Sequence, residues 1–170
     1  MHNQSNFLLA LLVLLTACPA PGEPPPAPDP IGDELLRTES VFGLEACRRA
    51  HLYRNGRSLQ YQCFTLDGSF SWENRGTLSP DGAAALDAEL ASADFDDTEP
   101  GDFMGLCQSA EADAATLTVW IGERSVSYSP LCPTKGLESL NELLWMLRGD
   151  ISECEQLELL DSVEPGCRAY

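Results

Sequence analysis

Histidine is the base of many acyl-transfer relays, and outside its first few residues this chain has one, His51. A Ser-His-Asp arrangement would have to use it. Neither Gly-x-Ser-x-Gly nor Ser-x-x-Lys occurs, so no serine arrives with a motif that would activate it. Strand alternation sets Arg49 and Tyr53 on the same side as His51, which reads as a solvated position. The second cluster able to do chemistry is acidic. Asp94, Asp96, Asp97, Glu99 and Asp102 bring five carboxylates into one loop, the hard oxygen donors that calcium selects. The EF-hand pattern fails, because counting from Asp94 the sixth position is Glu99 rather than glycine and the twelfth is Gly105 rather than glutamate. The plain reading is a solvated loop, with calcium binding as its alternative. Arg48, Arg49, Arg54 and Arg57 supply four of the ten basic residues. Alternation splits them between two faces, where neighbouring carboxylates can pair with them.

The remaining chemistry belongs to sulfur. An apolar run from Phe7 to Leu15 precedes Thr16-Ala17-Cys18. About 20 apolar residues are needed to span a bilayer as a helix, so this run is too short and matches the apolar core of a secretory leader. Residues 1–6 lack the usual lysine or arginine. Leu15-Thr16-Ala17-Cys18 resembles the lipobox of bacterial lipoproteins. The resemblance implies that residues 1–17 are removed, that the Cys18 thiol carries a diacylglyceryl group, and that the new amino terminus is acylated. Each buried CH₂ contributes about 0.8 kcal/mol, so two or three acyl chains fasten a protein to its membrane where one does so only marginally. Membrane lipid is then a partner through Cys18, on the extracytoplasmic side of a cell envelope.

Residues 19–30 are seven-twelfths proline. Such a segment favours extended polyproline II and reads, with residues up to 33, as a stiff tether. Residues 34–170 are the size of one domain. The chain's net charge of −17 argues against nucleic acid as a partner, since phosphate recognition wants a basic face. After Cys18 six cysteines remain: Cys47, Cys63, Cys107, Cys132, Cys154 and Cys167. An even number in an exported chain reads as three disulfides, for which fifteen pairings are possible. Pairing by neighbours (Cys47–Cys63, Cys107–Cys132, Cys154–Cys167) is preferred, because each then closes a loop of modest length. Zinc is the rival, but no Cys-x-x-Cys occurs and the nearest two cysteines are thirteen residues apart.

Three stretches predict strands around tight turns. Residues 46–54 and 58–66 flank Asn55-Gly56, and 69–75 returns after Asp67-Gly68. This arrangement places Cys63 opposite Trp72 and Tyr61 opposite Asn74, and sets Tyr61, Cys63, Thr65, Phe70 and Trp72 on one face. A second hairpin, 115–121 and 124–129, turns at Gly122-Glu123. Ser79-Pro80 opens a helix, serine as cap and proline as first residue, with Ala83, Leu86, Leu90 and Ala93 as its apolar stripe. A second helix is predicted from Lys135 to Arg148 along Leu137, Leu140, Leu144 and Leu147, with Gly149 after its end. Ser152-x-x-Glu155 predicts a short third helix through Leu160. The resulting class is α+β: an antiparallel sheet of about five strands, in the order strand-strand-strand-helix-strand-strand-helix, with its helices on one face and stapled by disulfides.

The block from Leu59 to Leu147 is similar to an uncharacterised domain of exported bacterial lipoproteins. The matching pieces are Tyr-x-Cys-x-Thr-Leu-Asp-Gly-Ser-Phe, Leu-Ser-Pro before a helix, Leu-Thr-Val-Trp-Ile, and Leu-x-x-Leu-x-x-Leu-Leu. No activity and no cofactor come with that resemblance. The expectation is a non-catalytic envelope lipoprotein, an interaction or structural module for an envelope partner. The alternatives are a ligand- or calcium-binding module using residues 94–102 and a small exported hydrolase.

Overall fold

A computed structural model describes residues 25–39, 47–99, 101, 116–129, 131–153 and 158–164. Seven strands form one sheet: β1 (Asp33–Glu39), β2 (Arg49–Asn55), β3 (Ser58–Phe64), β4 (Phe70–Leu78), β5 (Thr116–Ile121), β6 (Arg124–Tyr128) and β7 (Leu160–Glu164). Their spatial order is β6-β5-β1-β2-β3-β4-β7, antiparallel at every pairing. Helix α1 (Pro80–Ser92) follows β4, and α2 (Glu138–Glu153) follows β6 after a 3-10 turn at Lys135–Leu137. The α+β class is therefore observed, with seven strands in place of the expected five. The two additions are β1, which inserts between β2 and β5, and β7, which closes the other edge beside β4.

Turn chemistry sets the hairpins. Asn55 pairs with Ser58, which leaves Gly56 and Arg57 in the turn, and Gly56 takes φ 59°. That left-handed conformation carries little penalty only for glycine. Cys63 lies opposite Trp72 and Tyr61 opposite Asn74, as the spacing predicts. Beyond Cys63 the register shifts, so Phe64 rather than Thr65 pairs with Phe70. This irregularity moves Phe70 to the other face from Trp72. Cys47 and Cys63 form a disulfide with Cα atoms 5.3 Å apart. Cys132 is also disulfide-bonded. Cys107, Cys154 and Cys167 lie outside the described residues, as does Cys18.

One face of the sheet carries the core. Leu36, Leu52, Leu59, Tyr61, Cys63, Leu78, Leu117 and Val119 pack there against Leu86 of α1 and Leu140, Leu144, Leu147 and Ile151 of α2. Burying a leucine contributes about 1.5–3 kcal/mol, so these stripes fix the placement of both helices. Ser79 caps α1 through the Gly82 amide, as its sequence predicts.

The end of α2 departs from expectation. Gly149 lies inside the helix, which runs to Glu153; of the stretch read as a third helix, Ser152 and Glu153 belong to α2, residues 154–157 lie outside the described residues, and Leu160 opens β7. Ile151 explains the extension. It continues the stripe of Leu144 and Leu147 and is fully buried, which outweighs the cost of about 1 kcal/mol for an interior glycine. Its carbonyl, one of the last four of α2 and without an intrahelical partner, accepts a hydrogen bond from Asn74 Nδ2 at 2.7 Å. Asp150 then accepts from the Leu159 amide at 3.2 Å and turns the chain back into β7.

Candidate functional site

The helix-free face of the sheet gathers the polar and aromatic side chains. Its centre is Glu34, Arg37 and His51. Glu34 and Arg37 are three apart and would lie on opposite faces of a regular strand. A bulge at Leu35 inserts one residue between Glu34, paired with Tyr53, and Leu36, paired with Leu52. The extra residue brings Glu34 and Arg37 to the same face, and Arg37 lies opposite His51.

Glu34 Oε1 contacts His51 Nδ1 at 2.5 Å, and both its oxygens accept from Arg37, at 3.3 Å from Nε and 2.9 Å from Nη2. A carboxylate only accepts, so Nδ1 carries the imidazole proton. The His51 side chain is 12 % exposed, in place of the solvated position expected of it. Tyr53 stacks on its ring at 5.9 Å, and Phe64 meets it edge-on at 5.2 Å. Burial lowers the His51 pKa below its ordinary value. The hydrogen bond and charge of Glu34 oppose that shift, and Arg37 and Arg49 add to it. Burial likewise raises the Tyr53 phenol, with Glu34 contributing. The Arg37 guanidinium also lies 4.9 Å from the centre of the Trp120 ring, which extends the patch towards β5. A groove of about 300 Å³ beside it is lined by Glu34, Arg54, Leu90, Trp120 and Ile121. A carboxylate-held neutral imidazole is two-thirds of a relay, but the groups stacked on it are aromatic rings rather than nucleophiles.

The acidic loop is built into the scaffold. Asp94 Oδ1 accepts from the Asp96 amide at 2.9 Å, and Asp97 Oδ1 from the Glu99 amide at 2.8 Å. Asp97 Oδ2 accepts from the Gly136 amide at 2.7 Å. Asp96 pairs with Arg124, and Glu99 with Lys135. Backbone bonds from Asp94 to Gly136 and from Lys135 to Glu99 zip the loop to the turn before α2. Asp102 lies outside the described residues. Among the described residues no three His, Cys, Asp or Glu side chains converge as a metal site would require. Asp97 and Glu99 fasten the loop after α1 to the turn before α2, and Asp96 ties it to β6.

Arg49 and Arg54 divide between the two faces as alternation requires, and Arg57 sits in the β2–β3 turn. Arg49 pairs with Glu39, Arg54 with Asp87 of α1, and Arg57 with Asp161 of β7. Alternation in the sequence does not reveal Glu34 and Arg37, because the bulge hides β1. The signal available was the pair of buried leucines following Gly32-Asp33, which a bulge disguises as a break in alternation.

No helix among the described residues is long and apolar enough to cross a membrane. No protein-family model, curated protein or solved structure matches the chain.

Proposed function

We propose that this chain is a lipoprotein of a bacterial cell envelope, lipid-anchored through Cys18 on the extracytoplasmic side, whose domain binds an envelope partner and catalyses no reaction. The observation that carries the reading is Leu15-Thr16-Ala17-Cys18 at the end of a short apolar run. The Cys47–Cys63 disulfide supports it, because such bonds persist in oxidising compartments. Among the described residues helices cover one face of the sheet only, and the aromatic and charged patch on the other supports a binding role. The structural use of Asp94, Asp96, Asp97 and Glu99 weighs against calcium as the ligand, and the aromatic surroundings of His51 weigh against a hydrolase.

Fractionation tests the placement. The wild-type chain should sediment with membranes and take up labelled palmitate, and Cys18→Ser should do neither. Identical fractionation of the two chains would overturn the anchor. Cross-linking in intact envelopes tests the binding role, which predicts a reproducible partner. Recovery of the isolated chain alone would overturn that part.

A further inference from the structure

Gln60 and Gln62 lie on the helix-free face, where a strand side chain ordinarily meets water, yet they are 0 % and 2 % exposed. Residues 28–31, expected to belong to a free tether, cross the sheet above them. Glu73 lies beside Gln60 and is itself held by Arg75. Its carboxylate can only accept, so Gln60 must turn Nε2 towards it, at 2.8 Å. Gln60 Oε1 then accepts from the Ile31 amide at 3.0 Å, and the second Nε2 hydrogen is directed to the Asp29 carbonyl at 3.2 Å. Gln62 Nε2 donates to the Pro28 carbonyl at 2.7 Å, and Asn55 Nδ2 to the Ile31 carbonyl at 3.0 Å. All four bonds go to the backbone of the strap. Pro28 and Pro30 have no amide hydrogen to leave unpaired against the sheet, and their fixed φ lowers the entropy lost on docking.

We infer that the Gln60–Gln62 row is a binding site for an extended proline-rich strand, filled in cis by residues 28–31. Three of the four bonds are side-chain amides donating to backbone carbonyls, and a preformed proline-rich segment lowers the entropy cost of such docking. One consequence rests on the lipid-anchor reading: with Pro28 docked, only residues 19–27 separate the domain from Cys18. As polyproline II, at about 3.1 Å per residue, the ten steps from Cys18 to Pro28 span about 31 Å. The domain is therefore held close to its membrane, by the helix-free face of its sheet.

The test uses the full chain in detergent, as wild type, Gln60→Leu, Ile31→Pro and the double variant. In the wild type the Ile31 amide should exchange at least about fivefold more slowly than an open chain, the value of one net hydrogen bond. Gln60→Leu should abolish that protection while Leu52 and Tyr61, inside the sheet, keep theirs. Ile31→Pro removes the strap's donor and leaves the site intact. A peptide of residues 24–31 at about 1 mM, the effective concentration a short linker supplies, should then shift the Gln60 and Gln62 side-chain amide signals. It should not do so in wild type or in the double variant. Open-chain exchange at Ile31 in the wild type, or no shift in Ile31→Pro, would overturn the site. Neither readout depends on acylation, so a chain that fails to take up palmitate but passes both loses the anchor and keeps the binding site.

Discussion

Opening the Cys47–Cys63 bridge should weaken the fold by an amount calculable from its loop. The bond joins residues 16 apart in sequence and clips the β2–β3 hairpin at the middle of the sheet. The chain-entropy relation gives about 3 kcal/mol at 25 °C for a loop of this length. Cys47→Ala isolates the term, because Cys47 is only half-buried while the fully buried Cys63 sulfur stays in place. In urea, with a slope of about 2 kcal/mol/M for a domain of this size, the unfolding midpoint should fall by about 1.5 M. The slope itself should rise slightly, since a denatured chain released from its cross-link exposes more surface. Equilibrium unfolding followed by tryptophan fluorescence reads both quantities, Trp72 being buried opposite Cys63. A midpoint within about 0.3 M of wild type would refute the reasoning. It would mean that the bridge is not formed or that the denatured hairpin stays closed without it.

His51 gives a pH dependence with a definite sign. Its folded pKa lies below the ordinary 6.5, so the unfolded chain takes up the proton first. His51 therefore contributes stability that is complete above pH about 6.5 and declines as pH falls from there towards the folded value. His51→Phe should flatten that slope in chemical denaturation series, and an unchanged slope would contradict the assignment. Gly82→Ala should destabilise by about 1–3 kcal/mol although alanine favours helices. A Cβ there would come within 2.3 Å of the Leu159 carbonyl oxygen, and a raised melting temperature would show that this contact can open. Millimolar calcium should leave the melting temperature unchanged, because Asp94, Asp96, Asp97 and Glu99 already have partners. A rise of several degrees would restore the calcium reading.

Local signals carried the parts of the fold that local chemistry dictates. The Gly122-Glu123 turn, the Ser79-Pro80 start of α1 and the leucines of α2 each announce themselves within a few residues and stand in the structure as read, whereas the first hairpin turns one residue later, at Gly56-Arg57, and the register shift after Cys63 replaces a two-residue turn at Asp67-Gly68 with a loop over residues 65–69. The failures involve distant partners. β1 is disguised by the bulge at Leu35 and by the prolines before it, and it becomes a strand only because β2 and β5 offer edges on either side. β7 reads Leu-Asp-Ser-Val-Glu, a pattern with no periodicity of its own, and pairs with β4 because Asp150 turns the chain there. Gly149 looked like a helix stop because the buried surface awaiting Ile151, formed by Gly76 and Asn74, lies some 75 residues earlier in the chain. The same gap hid the site. His51 was visible as a lone histidine, but Glu34 and Arg37 acquire their meaning only from the β1–β2 register. Gln60 and Gln62 acquire theirs only from a strap whose composition reads as spacer.

In the proposed placement, lipid attached at residue 18 holds this domain at a bilayer. The most direct measurement is the intact mass of the chain extracted from membranes, followed by fragmentation of its N-terminal peptide. The placement predicts a mature chain beginning at Cys18 with a diacylglyceryl thioether, and an amide-linked acyl group on its amino terminus. A chain recovered with residues 1–17 still attached, or beginning elsewhere with an unmodified Cys18, would contradict it.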